Sequence, residues 1–337
     1  MKHANFACIC LTLGFTFTIS TISDSKPKSG GAKISSALKA PEISELPTYT
    51  LMPTLVIPKH DDSDSTFLFQ PRDVSVDVAG NIFILDAGNK RVVKFDKDGR
   101  YLQQFGRMGQ GPGEFRDPFV TDINLKTELL YVFDGGGNNR VEVFDLMGEY
   151  KKSFRVSPAR FPTPFSSELV IDNTGNIIMI NVSKNSIFTV LSPQFNEIAT
   201  FGVPPEIEDI QDKSMDYVAH IDVTPQGELF VVYRFHPILQ KYDDKYGLLF
   251  TKTLHNKDIQ QLLDNQRKKP RVKRSEGGFR SSFYINAMVA DNSGGCYISI
   301  IENLYHFNNA GEPQRIIELK DSDSKNITAF SLFIDNS

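Results

Sequence analysis

Self-similarity constrains this chain more than any other property. A short unit repeated at a spacing of roughly 45–50 residues cannot bury its apolar face alone and must stack against copies of itself. The clearest unit opens with Gln70-Pro71-Arg72-Asp73-Val74-Ser75-Val76-Asp77 and continues with Ala79-Gly80-Asn81-Ile82-Phe83-Ile84-Leu85-Asp86. Gly88 to Asp96 and Asp98 to Leu102 complete it. Each stretch is short, apolar or alternating, and closed by Asp, Gly or Asn, so the unit predicts four strands joined by tight turns.

The unit recurs. Its Phe95-Asp96-Lys97-Asp98-Gly99 turn returns as Phe144 to Gly148, Tyr242 to Gly247 and Phe307 to Gly311, with a weaker copy at Leu191 to Asn196. The earlier turn, Asp77 to Gly80, returns at Asp172 to Gly175, Asp222 to Gly227 and Asp291 to Gly294, and Asp122 is expected to start a longer version. Glycine reaches positive φ without steric cost, and Asp or Asn bonds the backbone of its own turn. Asp77, Asp96, Asp145 and Asp172 are therefore expected to be turn residues rather than ligands or acids.

Five units are visible, and a sixth begins at Ala329 to Asp335 with a first strand and turn. Tyr49 to Pro58 alternates like a strand and is expected to pair with the last blade and close the ring. Either residues 46–69 supply more than one strand to that blade, or the last blade is incomplete. The resulting fold class is all-β: a six-bladed β-propeller with four-stranded antiparallel blades.

These residues resemble the NHL-repeat and bacterial six-bladed β-propeller families. The likeness lies in Gly80 to Asp86, in the Gly-Asn-x-Arg-Val run Gly88 to Val92, in Phe95 to Gly99 and in the connector Phe105 to Phe115. Asn139-Arg140-Val141 and Phe144-Asp145 repeat it. It covers residues 67–155 and fades beyond about 165, where Lys184-Asn185-Ser186-Ile187 lacks the arginine. Such propellers include binding modules, sensor domains and a few metal-dependent lyases and lactonases, so the resemblance implies a fold and not a chemistry.

Outside the repeats, Lys2 and His3 precede an apolar run from Ala4 to Ile19 and then Ser20-Thr21-Ile22-Ser23, the order of a secretory signal. Residues 1–23 are expected to be a signal peptide and 24–46, rich in Ser, Lys, Gly and Pro, a flexible linker; the propeller occupies 47–337, and the product is exported to the periplasm, cell surface or medium. An uncleaved anchor is the alternative. With the signal removed only Cys296 remains, which excludes an intrachain disulfide. The net charge of −4 argues against general nucleic-acid binding.

Function is expected at the channel mouth, where blade-to-blade loops gather. Candidates there are Arg72, Arg116, Asp117, Arg160, Tyr217, His220, Arg234, His236, Arg280 and Tyr284. The arginines suit an anionic or carboxylate-bearing ligand, or else pair with Asp between blades. Arg91 and Arg140, inside the motif, read as structural.

The insertion 255–279 breaks the repeat. It carries a short helical pattern at Asp258 to Leu263 and six cations, Arg267, Lys268, Lys269, Arg271, Lys273 and Arg274, a candidate polyanion-binding segment or a solvated loop. The histidines after the signal, His60, His220, His236, His255 and His306, show no close metal-ligand spacing, and His306 is expected to be exposed.

No cofactor is expected; zinc or calcium enters only with a metal-dependent lyase or lactonase-like alternative. The leading expectation is a non-catalytic, monomeric scaffold for a protein or a small anionic ligand, with a membrane-anchored sensor as the other alternative.

Overall fold

The computed structural model describes residues 46–51, 57, 67–135, 139–156, 168–181, 186–203, 217–254, 285–300 and 303–320. Among these, five sheets follow one another along the chain. The first comprises β2 (Pro71–Val76), β3 (Ile82–Asp86), β4 (Arg91–Phe95) and β5 (Tyr101–Phe105). The second holds β6 (Pro118–Asn124), β7 (Leu129–Asp134), β8 (Arg140–Asp145) and β9 (Tyr150–Arg155). The third holds β10 (Leu169–Ile171), β11 (Ile177–Ile180), β12 (Phe188–Leu191) and β13 (Glu197–Phe201). The fourth holds β14 (Ala219–Val223), β15 (Leu229–Tyr233), β16 (Ile238–Tyr242) and β17 (Leu248–Thr253). The fifth holds β18 (Ile285–Ala290), β19 (Cys296–Ile300), β20 (Asn303–Phe307) and β21 (Pro313–Leu319).

Within each blade the four strands pair antiparallel in chain order. The second strands are continuous apolar runs, Ile82–Asp86 and Leu229–Tyr233 among them, and are fully buried. They lie inside a blade and between two neighbouring blades, so both faces are dry. The fourth strands alternate and lie largely exposed at the rim. Apolar clusters bridge each junction between successive blades; Leu85 and Val92 of the first blade pack with Ile123, Val132 and Phe144 of the second.

The strand expected from Tyr49 is present as β1 (Thr48–Leu51), and it pairs with the last of the described blades. It adds to the fifth blade as an extra outer strand, parallel to β21, with Thr48 opposite Ile316 and Leu51 opposite Leu319. Parallel pairing is open to a strand that arrives from a distant part of the chain. Ala329 to Asp335, expected to begin a sixth blade, lies outside the described residues, as do the signal, most of the linker and the insertion 255–279.

The turn aspartates behave as turn chemistry requires. Asp96 Oδ1 accepts the N–H groups of Asp98 and Arg100 at 2.9 and 2.8 Å, and Asp145 Oδ1 accepts those of Met147 and Glu149, both at 2.9 Å. Asp77, Asp172, Asp243 and Asp291 repeat this contact two and four residues ahead. Gly99, Gly148 and Gly311 hold φ of 77°, 80° and 70° at the left-handed turn position. Phe195 and Tyr246 take φ of 68° and 66° in the corresponding turns. Such values are uncommon for bulky residues.

Two turn assignments are corrected. Asp222 does not cap its turn; Thr224 does, accepting Gly227 N–H on its carbonyl at 2.9 Å and Glu228 N–H on Oγ1 at 3.2 Å. Nor does Asp122; Asn124 Oδ1 takes the N–H groups of Lys126 and Thr127, both at 3.0 Å. Asp122 and Asp222 sit two residues earlier, on inner strands.

The motif arginines clamp the segment that enters their own blade. Arg91 Nε lies 2.7 Å from Asp86 Oδ2, and its Nη2 donates to Phe67 O at 2.7 Å. Arg140 donates to the carbonyls of Gln110, Gly111 and Glu114 at 2.6 to 2.8 Å.

The exposure expected of His306 is also corrected: it is only 6% exposed. Its Nε2 lies 2.6 Å from Asp291 Oδ2, and its ring stacks on Tyr297. Lys94 and Lys241, at the same place in their blades, are buried too. Lys94 Nζ reaches Leu146 O at 2.9 Å and Lys241 Nζ reaches Asn309 Oδ1 at 2.7 Å, each in the next described blade. The third strand is covered by its neighbour, so a long polar side chain there spans the seam instead of meeting water.

Candidate functional site

The inner strands β2, β6, β10, β14 and β18 surround a central cavity of about 940 Å³. Each inner strand pairs on one side only, so its other edge presents unpaired N–H groups to the channel. Three aspartates satisfy some of them in one repeated geometry. Asp73 accepts Val74 N–H and, from the next blade, Thr121 N–H, both at 2.9 Å. Asp122 accepts Ile123 N–H and Ile171 N–H, both at 2.8 Å. Asp222 accepts Val223 N–H and Ala290 N–H, both at 2.8 Å. These carboxylates join the first blade to the second, the second to the third and the fourth to the fifth.

Their setting raises the cost of charge. Burial pushes Asp122 up to about 8, and the negative charges of Asp222 and Asp73 add to that against the N–H bonds it accepts. Burial likewise pushes Asp222 up to about 6, with Glu168 adding to it.

At the mouth where the inner strands begin, Arg72, Glu168, His220, Arg234 and Asn286 all line the cavity wall. His220 Nδ1 lies 2.9 Å from Glu168 Oε1, so a residue of the fourth blade meets the entry to the third. His220 is 93% buried, and its Nε2 has no hydrogen-bond partner among the described residues. Arg234 follows β15, its own N–H bound to Val218 O at 2.9 Å. Burial lowers its guanidinium from the usual range, while the charge of Glu168 opposes that shift.

The sequence-predicted residues divide. Arg72, His220 and Arg234 line the cavity. Arg72 is engaged between blades: Nη1 lies 2.9 Å from Asp117 Oδ1 and 2.8 Å from Pro118 O, and the guanidinium sits 4.3 Å from the Phe119 ring centre. Asp117 also faces Lys90 Nζ at 3.7 Å. Arg116 is exposed, with its backbone N–H bound to Asp134, and is not in the wall. Tyr217 is buried in the core against Tyr233, and His236 belongs to the β15–β16 turn; neither lines the cavity. Arg160, Arg280 and Tyr284 lie outside the described residues, as do Arg267, Lys268, Lys269, Arg271, Lys273 and Arg274.

Sequence reasoning missed Asp73, Glu168 and Asn286 and misassigned Asp122 and Asp222. For Asp122 and Asp222 the available signal was an Asp inside an apolar inner strand, two residues ahead of a turn cap. Among the described residues, no group of three or more His, Cys, Asp or Glu side chains is placed to hold a metal ion.

Residues 63–166 match the family model described as a 6-bladed beta-propeller. Protein brain tumor of Drosophila melanogaster is 22% identical over 139 residues, 41% of this chain and 13% of its own length. NHL repeat-containing protein 3 of Homo sapiens is 26% identical over 183 residues, 51% of this chain and 49% of its own length. The chain thus spans at most about half the length of these relatives. Among solved structures, a putative exported protein from Bacteroides fragilis shares the fold, with a TM-score of 0.52 and 14% identity over 79% of this chain and 78% of that one.

Proposed function

We propose that this chain, a β-propeller of NHL type, is an exported binding scaffold that takes an acidic protein segment or a small carboxylate ligand at the mouth where its inner strands begin. One observation carries this reading. Polar side chains from different blades, Glu168, His220, Arg234 and Asn286, meet at the end of a 940 Å³ cavity, and the buried Nε2 of His220 has no partner among the described residues. A buried nitrogen of this kind calls for a partner, and a carboxylate or a water-bridged ligand group supplies one. Arg234 adds a fixed positive charge in a low-dielectric wall. Completion of a sixth blade from residues outside the described set belongs to the same proposal, supported by the family description.

The test is a thermal-shift screen of the full chain against succinate, citrate and short Glu-rich peptides. Stabilisation by at least one of these, lost in Arg234→Gln and His220→Phe, is the expected outcome. No shift with any of them overturns the acidic-ligand reading. N-terminal mass analysis of the exported protein tests the localisation: a mature chain beginning near Asp24 is expected, and retention of residues 1–23 would favour the anchored sensor.

A second reading draws on the same pair. A histidine held by a carboxylate at Nδ1, with Nε2 unpartnered, is the arrangement of a general base, so a channel enzyme is the alternative. Elemental analysis for stoichiometric zinc or calcium separates a metal-dependent form of it from the scaffold.

A further inference from the structure

We propose that the central channel binds an alkyl diammonium ion, with its two cationic ends on Asp122 and Asp222 and its methylene chain along the apolar wall beside them. The inference stands on the inner strands of the second and fourth blades and is independent of what the mouth takes.

The argument starts from charge that the wall leaves uncompensated. Among the described residues, the cavity wall carries five carboxylates, Asp73, Asp122, Glu168, Asp172 and Asp222, against three cations, of which Arg72 is already held 2.9 Å from Asp117. Asp122 and Asp222 each accept one N–H of their own strand and one of the next blade, all at 2.8 Å, a setting that favours the ionised carboxylate. One N–H lies on each oxygen, so every oxygen keeps a lone pair for a further donor. Among the described residues, neither carboxylate has a lysine, arginine or histidine nitrogen within ion-pair distance.

A second observation lies on the same wall. Thr121 precedes Asp122 on β6 and is only 4% exposed, and its Oγ1 has no hydrogen-bond partner among the described residues. Its N–H is taken by Asp73 and its carbonyl by Ser75 Oγ, which leaves the hydroxyl over. Buried hydroxyls are normally paired, and an ammonium N–H is a donor that a hydroxyl accepts as a carboxylate does.

The class of cation follows from the donors and the wall. Among the described residues, no three His, Cys, Asp or Glu side chains converge as a bare metal ion requires. Asp122 and Asp222 stand on different blades, so two separated charges match them better than one. Val74, Ile123, Ile171 and Val223 share the wall with them, and apolar surface favours methylene groups over a hydration shell. An alkyl chain with a primary ammonium at each end meets all three conditions, and a cavity of about 940 Å³ has room for it.

The test is isothermal titration calorimetry of the full chain with cadaverine. Saturable binding is expected, weakened about tenfold in Asp122→Asn and in Asp222→Asn, each of which loses a charge-assisted hydrogen bond. Asp98→Asn, at an exposed turn, should leave it unchanged. Pentylamine, one charge short, should bind about tenfold more weakly than cadaverine. The proposal is overturned if cadaverine does not bind, if the channel Asn variants bind it as the wild type does, or if pentylamine or magnesium ion binds as tightly. Should either variant fail to fold, nuclear Overhauser contacts between the cadaverine methylenes and the methyl groups of Ile171 and Val223 decide in the wild-type chain, and their absence overturns the proposal. Succinate reports on the mouth and cadaverine on the channel, so either reading fails without the other.

Discussion

Replacing Asp86 by Ala tests whether the aspartates of the repeat divide into two energetic classes. Asp86 ends β3 with no exposed surface. Its carboxylate accepts Phe69 N–H at 2.7 Å, Asn89 Nδ2 at 2.8 Å and Arg91 Nε at 2.7 Å. Truncation leaves the Arg91 guanidinium, 12% exposed, without its carboxylate, and a buried N–H without its acceptor. Breaking a buried pair from one side costs about 3–5 kcal/mol, and Arg91 retains Phe67 O and Gln104 Oε1 as acceptors, so the expected loss is about 3 kcal/mol. Asp96 is the control. Its Oδ1 accepts N–H groups of an exposed turn, and its Oδ2 faces the exposed Arg100 guanidinium at 3.9 Å; truncation in such a setting costs about 1 kcal/mol. In a domain of this size those losses correspond to falls of roughly 6–12 °C and 2–4 °C in melting temperature. Reversible thermal unfolding followed by near-ultraviolet circular dichroism is the assay. Equal falls for Asp86→Ala and Asp96→Ala would refute the division into buried clamp and exposed cap.

Three further outcomes are expected. Gly106 sits at φ 81°, and an added Cβ would lie 2.3 Å from the Phe115 ring, so Gly106→Ala should lose more than about 1 kcal/mol, measured by urea unfolding. Burial pushes the Asp291 carboxyl up, but bonds from His306, Ser293 and Gly295 outweigh it and hold Asp291 down at about 2. Its contribution to stability is therefore present above the unfolded value and lost as pH falls towards 2, and His306→Phe should move acid unfolding to higher pH. The Cys296 thiol is fully buried and pushed well above its usual range by that burial, so it should resist Ellman's reagent in the native protein and react completely in urea.

Much of the blade was legible in the residues. The alternation of Phe95-Asp96-Lys97-Asp98-Gly99 and its copies reports local events, a strand end and a turn whose carboxylate closes on its own backbone, and local events are readable from a local pattern. That Arg91 and Arg140 serve structure was legible from their place in the motif, but the carbonyls they clamp, 24 to 30 residues earlier in the chain, were not. The site was less legible. Asp122 and Asp222 carry the same letter as the turn caps of other blades, Asp77 and Asp172 among them, and only their place two residues ahead of Asn124 and Thr224 sets them apart, while the bond each makes to the next blade depends on how the blades are set against one another.

What the sequence determined by itself is therefore the unit: strand lengths, turn positions and the stacking that an apolar face on both sides demands. Tertiary structure alone decided the rest. It sent β1 to the outer edge of the fifth blade in parallel, buried Lys94 and Lys241 in the seams and His306 against Asp291 and Tyr297 of its own blade, and brought Glu168 against His220 across 52 positions of chain. Each of these depends on which surface faces a neighbouring blade. The repeat period makes every blade alike within itself, whereas the partners that a polar side chain finds across a seam depend on how the blades are set around the channel.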